Sequence, residues 1–284
     1  MRFASLPAMS GTRLALILPL LLGACAAGPP FGSGVPRPMD EVRCEQRTDK
    51  VFAILGEIDE ATTECVRSRF RPTTQVLILD SEGGSVEAAL DIAALFEGRG
   101  LEMRVEGECN SSCANYFLPL ASRIALAPEA IVLLHGSIDP WTIDRWRSRR
   151  SDFIAQRARH GHDEAAATET FDELLATAQG LKARQDEFAR RNNVPPGWLL
   201  YREPGSGRVP GLANQPAPGR AVLVEEPMIR SCLTEAEIVP FQQSLNRAWL
   251  RSPRRLGLLW RRIVPSGEAR CVADDLTGGT PLRR

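Results

Sequence analysis

Between residues 41 and 135 the chain alternates short apolar runs with segments of helical periodicity. Val51 to Ile58 (VFAILGEI) and Val76 to Asp80 (VLILD) are brief apolar runs bounded by polar residues, which predicts buried strands. Asp59 to Phe70, between them, predicts a helix. Val86, Ala89, Leu90, Ala93 and Phe96 recur at helical spacing, so a second helix is expected from about Ser85 to Glu97, with Gly98 and Gly100 as stop signals. Met103 to Val105 begins another short strand. A helix over Ser111 to Leu120 and strands over Arg123 to Ala127 and Ile131 to His135 follow. A long helix is then expected within Asp163 to Arg191, with Phe171, Leu174, Leu175, Ala178 and Leu181 on one face. Strands and helices in alternation imply βαβ units and an α/β class. There are no internal repeats.

The ends of the chain carry other signals. Residues 1–24 hold Arg2 and Arg13 but no acid, and Leu14 to Leu22 (LALILPLLL) is apolar yet too short to span a bilayer, the layout of a secretory signal. Leu22-Gly23-Ala24-Cys25 resembles the bacterial lipobox, which implies lipidation on Cys25 and a mature chain that starts there; ordinary cleavage beside a coincidental cysteine is the alternative. Ala26, in place of an aspartate, resembles lipoproteins sent on to the outer membrane. Gly28 to Pro38 (GPPFGSGVPRP) is dense in proline and glycine and reads as a tether. The expected organisation is a leader over 1–24, a flexible tether over 25–40, a folded domain over 41–215 and a small C-terminal appendage over 216–284.

Loss of residues 1–24 removes two of the 35 basic residues and none of the 35 acidic ones, leaving a formal charge of −2 and no electrostatic case for nucleic acid. At 43% hydrophobic and 25% charged, the composition is that of a globular chain able to bury a core. With Cys25 lipidated, six of the seven cysteines remain, an even number in an exported protein and therefore expected to pair. Six cysteines allow 15 connectivities. Pairing each with its nearest neighbour in the chain favours Cys44–Cys65, Cys109–Cys113 and Cys232–Cys271.

The chemistry concentrates around two turns. Ser81-Glu82-Gly83-Gly84-Ser85 lies between a buried strand and a helix, where bare backbone brings N–H groups close to an anion or a polarised carbonyl. Alone, such a turn is equally well a tight strand-to-helix connection. Downstream, CNSSC (Cys109 to Cys113) places two serines at a helix start, and a later apolar run ends at His135. This order, LILDSEGGSVEAALDIAALF followed by CNSSCANYFLPLASRIALAPEAIVLLH, resembles the Clp protease proteolytic subunit, in the superfamily that also contains signal peptide peptidase A and the crotonases. In that family a strand leads into SPGGSV, then a helix, a strand, a serine at a helix start, a strand pair and a histidine. Here Glu82 replaces the usual proline, and the second half carries its own cysteine pair, as in exported ClpP-like proteins with a CxSxC motif. The likeness covers about Val51 to Gly136 and extends weakly to about Tyr201.

The resemblance implies a ClpP/crotonase-like spiral of βαβ units, here with a small disulfide-bonded C-terminal appendage. It places the nucleophile at Ser111, the general base at His135 and the oxyanion hole at the backbone N–H groups of Gly84 and Ser112. Ser112 is the competing nucleophile, and a stapled turn whose serines only cap a helix is the non-catalytic reading. The family's orienting acid follows the long helix, where this chain has only Glu203; Asp139, Asp186 or a dyad are the alternatives. A metal site built from Cys109, Cys113 and His135 is the less favoured reading of the same residues. The expected activity is that of a membrane-tethered serine hydrolase, a peptidase of the bacterial envelope with its domain in the periplasm. It needs no cofactor and no ATPase partner, acts on polypeptide, and has the capacity to form a homo-oligomer. The alternative is a silent ClpP-like module that binds peptides or envelope partners. Acyl-CoA chemistry fits poorly, because export takes the protein away from the usual CoA pool. Asp144 to His162 is arginine-rich and reads as a solvated face.

Overall fold

The chain folds around one sheet, with a hairpin at its edge: strand β1 (Cys44–Thr48) runs antiparallel to β2 (Val51–Ile58). The computed structural model describes residues 43–128, 130–134, 136–138, 140–199, 220–233, 236–238 and 262–265. Helix α1 (Glu60–Arg69) leads from β2 to the parallel strand β3 (Val76–Gly84), and helix α2 (Val86–Phe96) leads from β3 to the parallel strand β4 (Glu102–Asn110). Both helices start where the sequence supplies a cap: Asp59 accepts the N–H of Thr62, and Ser85 that of Ala88. After β4 come helix α3 (Ser112–Tyr116), a 3-10 turn (Leu118–Leu120), β5 (Arg123–Leu126) and β6 (Ile131–Leu134). Helices α4 (Pro140–Ser148), α5 (Arg150–Arg159), α6 (Glu164–Arg191) and α7 (Pro196–Leu199) follow. The remaining elements are β7 (Arg220–Leu223), α8 (Glu226–Cys232), β8 (Glu237–Ile238) and β9 (Arg262–Pro265).

Among the described residues nine strands make one mixed sheet, so the class is α/β. Its main path runs β1-β2-β3-β4-β6-β7-β9, and β4 has two partners on its far side. The first half of β4 (Glu102 to Val105) pairs with β5, and its end (Glu108 to Asn110) pairs with β6, both parallel. The sheet therefore forks at β4.

Several sequence expectations change here. Strand β4 is nine residues long, because Glu106 to Asn110 (EGECN) continue it although they offer no apolar run. Strand β1, with the sequence CEQRT, has no apolar run to announce it. The helix expected over Ser111 to Leu120 breaks after Tyr116, and Pro119 sits in the tighter turn that follows; proline has no N–H to continue the helical ladder. In the C-terminal segment β7 pairs with β6, β8 with β5 and β9 with β7, so its described residues extend the main sheet. The arginine-rich stretch forms α4 and α5, where Arg147 pairs with Asp144 and Arg150 grips Asp172 with two nitrogens.

The core lies between the sheet and α1, α2 and α3. Phe52, Ile54, Leu77 and Leu79 are fully buried and meet Ala89, Ile92, Ala93 and Phe96 of α2 in the same cluster. Phe52, Phe70, Phe96 and Phe117 stack in series at centroid distances of 5.3, 5.0 and 5.7 Å. Disulfide Cys44–Cys65 ties β1 to α1 beside this cluster, with a Cα separation of 6.0 Å.

Candidate active site

Because β3, β4 and β6 are parallel, their C-terminal ends lie on one edge of the sheet, and register matches Ser81 with Cys109 and Asn110 with Leu133. In open α/β sheets such an edge, where the connections diverge, is where ligands bind. The fork of β4 falls beside Gly107. A side chain there would collide with the Asp80 carboxylate, its Cβ lying 2.1 Å from Asp80 Oδ1, and that oxygen accepts the Glu108 N–H at 3.0 Å. Asp80 thus stands in for a ladder carbonyl where the β3–β4 register slips, between Leu79 and Ser81.

The glycine turn reaches this edge. Gly83 has φ +91°, and a Cβ on it would lie 2.4 Å from the Asn110 carbonyl oxygen, 2.7 Å from Ser111 Cβ and 3.1 Å from Ser112 N. Only bare backbone fits between β3 and the CNSSC turn. Gly84 has φ +149°, and a Cβ there would lie 2.2 Å from Ile58 O. Gly83 donates its own N–H to Ser81 Oγ at 3.1 Å, which leaves Gly84 as the oxyanion candidate of the two.

Ser111 joins β4 to α3 in an unusual backbone state, φ 53° and ψ −122°. Among the described residues only Ser111 and Asn193 combine a side chain with positive φ. Its ψ also lies outside the left-handed helical basin, so this conformation carries strain of order 1–3 kcal/mol. A strand that turns into a helix through one strained residue presents that residue's side chain outward, the arrangement of a nucleophile elbow. Neighbouring bonds hold the turn: Ser111 donates its N–H to Leu133 O at 2.9 Å, and Ser111 O accepts the Asn115 N–H at 2.8 Å. Ser111 occupies the N-cap position of α3 but its side chain makes no capping hydrogen bond. The helix-cap reading of this serine therefore fails.

The two serines differ sharply. Ser111 is half-buried, whereas Ser112 is 2% exposed and its Oγ has no hydrogen-bond partner. A nucleophile sealed in the core cannot meet substrate, so Ser111 is the better placed of the pair. Ser112 is the first residue of α3, and its N–H is therefore among those with no acceptor inside the helix. Cys109 and Cys113 bracket the turn, bonded to each other with a Cα separation of 5.2 Å, and both are fully buried. That bond removes both sulfurs as metal ligands, which corrects the metal alternative. Among the described residues no group of three or more His, Cys, Asp or Glu is placed to hold an ion.

The opposite end of α3 is held by a buried polar group of residues that sequence reasoning missed. Tyr116 donates its O–H to Gln185 Oε1 at 2.8 Å and pairs with Ser137 Oγ, while its ring packs edge-on against Phe188 at 5.5 Å. Burial pushes the Tyr116 phenol above its ordinary range and keeps it a proton donor. Trp198, fully buried, donates its indole N–H to Ala114 O at 3.0 Å, one of the carbonyls that the short helix leaves unsatisfied. A faint signal existed for Gln185: it falls on the stripe Phe171, Ala178, Gln185, a polar residue at an apolar position, and α6 buries these rather than Leu174, Leu175 and Leu181.

The other expected groups are placed as follows. His135, Asp139, Glu203 and Cys25 lie outside the described residues, as does Cys271. Cys232 is disulfide-bonded. Asp186 is exposed, and both its carboxylate oxygens accept from Lys182, at 2.6 and 2.5 Å. No helix among the described residues is long and apolar enough to cross a membrane. No protein-family model matches the chain, and no curated protein matches it either.

Proposed function

We propose that this chain is a serine hydrolase of the ClpP/crotonase-like kind, a peptidase tethered to the bacterial cell envelope through a lipid on Cys25, with its domain in the periplasm and the outer membrane as the favoured site. The observation that carries the reading is Ser111 itself: a half-buried serine at φ 53°, ψ −122°, between a parallel strand and a helix, bracketed by a disulfide and uncommitted to the helix cap. Strain of this kind is retained where it presents a reacting group. His135, which follows the last residue of β6, is the proposed base, taking the Ser111 proton during attack and returning it to the leaving amine. The N–H groups of Gly84 and Ser112 are the proposed oxyanion donors; one such donor typically contributes about 3–4 kcal/mol to barrier reduction. Polypeptide is the proposed substrate.

A silent peptide-binding module is the second reading, and the pairing of Asp186 with Lys182 favours it, since loss of an orienting acid costs about 10⁴-fold in rate. Incubation of the purified full chain with an unfolded, fluorescently labelled polypeptide separates the two. Cleavage that disappears in Ser111→Ala supports the peptidase; binding without cleavage by a folded wild-type chain selects the module.

A further inference from the structure

Gln185 holds both backbone polar groups of Ile138, and Tyr116 holds the hydroxyl of Ser137. The Gln185 carboxamide donates to Ile138 O at 2.9 Å and accepts the Ile138 N–H at 3.3 Å, so it docks on that residue as a neighbouring strand would. Its Oε1 also accepts the Tyr116 O–H. With that proton committed, the Ser137 hydroxyl donates to the Tyr116 oxygen. Ser137 N–H is taken by Leu199 O at 2.8 Å. Gln185 is 1% exposed and Tyr116 is fully buried, so these bonds form out of water.

The segment is tied to α3 at both ends of that helix. At the N-terminal end Ser111 N–H donates to Leu133 O, and at the C-terminal end Tyr116 pairs with Ser137. The residue assigned as the base, His135, falls between these two attachments in the chain. An apolar side chain at position 185 would pack α6 without desolvating an amide. A buried network in which each polar atom has a partner instead fixes one geometry, because displacement breaks those bonds out of water. We infer that Gln185 and Tyr116 are positioning residues for the proposed hydrolase: they set the segment following β6 against the helix that presents Ser111, the task an orienting acid performs in other triads. This inference rests on the serine-hydrolase reading.

The test uses the full chain and a fluorophosphonate probe, with Gln185→Leu and Tyr116→Phe; the second keeps the ring packing and removes one oxygen. The measured quantities are the second-order rate constant of labelling, the final stoichiometry and Tm. Misplacement of about 1 Å costs on the order of 100-fold in rate, so a fall of about 10- to 100-fold at full stoichiometry is expected in both variants. A purely structural role would lower the labelled fraction and leave the rate constant of the folded molecules alone. Val66→Ala, a buried change in α1 remote from the network, is the control: its Tm falls and its rate constant stays. If Gln185→Leu does not fold, Tyr116→Phe decides. A wild-type chain that labels, with variants that label equally fast, overturns the positioning role alone. A folded wild-type chain that never labels overturns the hydrolase reading and the positioning role with it.

Discussion

Replacing Cys109 and Cys113 together by alanine opens a loop with a sequence separation of 4, whereas Cys44 and Cys65 close one of 21. The chain-entropy relation for a cross-link gives a loss of ~1.9 kcal/mol for the short loop and ~3.3 kcal/mol for the long one. Buried sulfur is lost in both cases, so the difference between the two variants comes mainly from loop length. For a domain of this size ~1.4 kcal/mol corresponds to a Tm difference of roughly 3–6 °C. Reactivity should order the other way. The short bond brackets the strained turn at Ser111, while the long one ties β1 to α1 at the far side of the core. Thermal unfolding under non-reducing conditions and the rate of fluorophosphonate labelling, measured on the same preparations, give both orders. Cys44→Ala/Cys65→Ala should melt lower yet label like wild type; Cys109→Ala/Cys113→Ala should melt higher than that variant and label at least about tenfold more slowly, by the cost of a displaced reacting atom. Equal labelling in the two variants would refute the idea that the disulfide holds the nucleophile turn.

Three further outcomes follow from individual residues. Ser112→Ala removes a buried hydroxyl that has no partner, so it should be neutral or stabilising by up to about 1 kcal/mol in chemical denaturation; a loss of more than that would show that the hydroxyl is satisfied. Gly83→Ala forces a Cβ to within 2.4 Å of Asn110 O at φ +91°, and should cost about 2–4 kcal/mol and displace the Ser111 turn, read as a lower Tm with slowed labelling. Cys25→Ser should abolish lipid attachment, checked by mass spectrometry of the mature N-terminus; an unmodified terminus elsewhere in the wild-type chain contradicts the lipobox reading.

The α/β class and most helix and strand positions were legible because burial imposes periodicity. Val51 to Ile58 is β2 end to end, and Ser85 caps α2 where its spacing begins. What escaped has a physical reason in each case. The extension of β4 through Glu106 to Asn110 depends on β6 as a partner and on Asp80 filling the ladder, neither of which is local. Ser111 and Ser112 are the same residue type side by side, and only the folded turn leaves the first half-buried and packs the second into the core. Gln185 and Tyr116 looked like ordinary members of helices, because their roles rest on contacts 47 and 21 positions away. The C-terminal strands RAVL and EI are too short to be recognised without the edges they pair with.

The most direct measurement is the site of covalent modification. Full chain treated with a fluorophosphonate, digested and sequenced by mass spectrometry, should carry one adduct on Ser111, absent after Ser111→Ala or His135→Ala and retained after Ser112→Ala. An adduct that persists in Ser111→Ala and vanishes in Ser112→Ala would contradict the assignment of the elbow serine, and a folded wild-type chain with no adduct would contradict the proposed hydrolase itself.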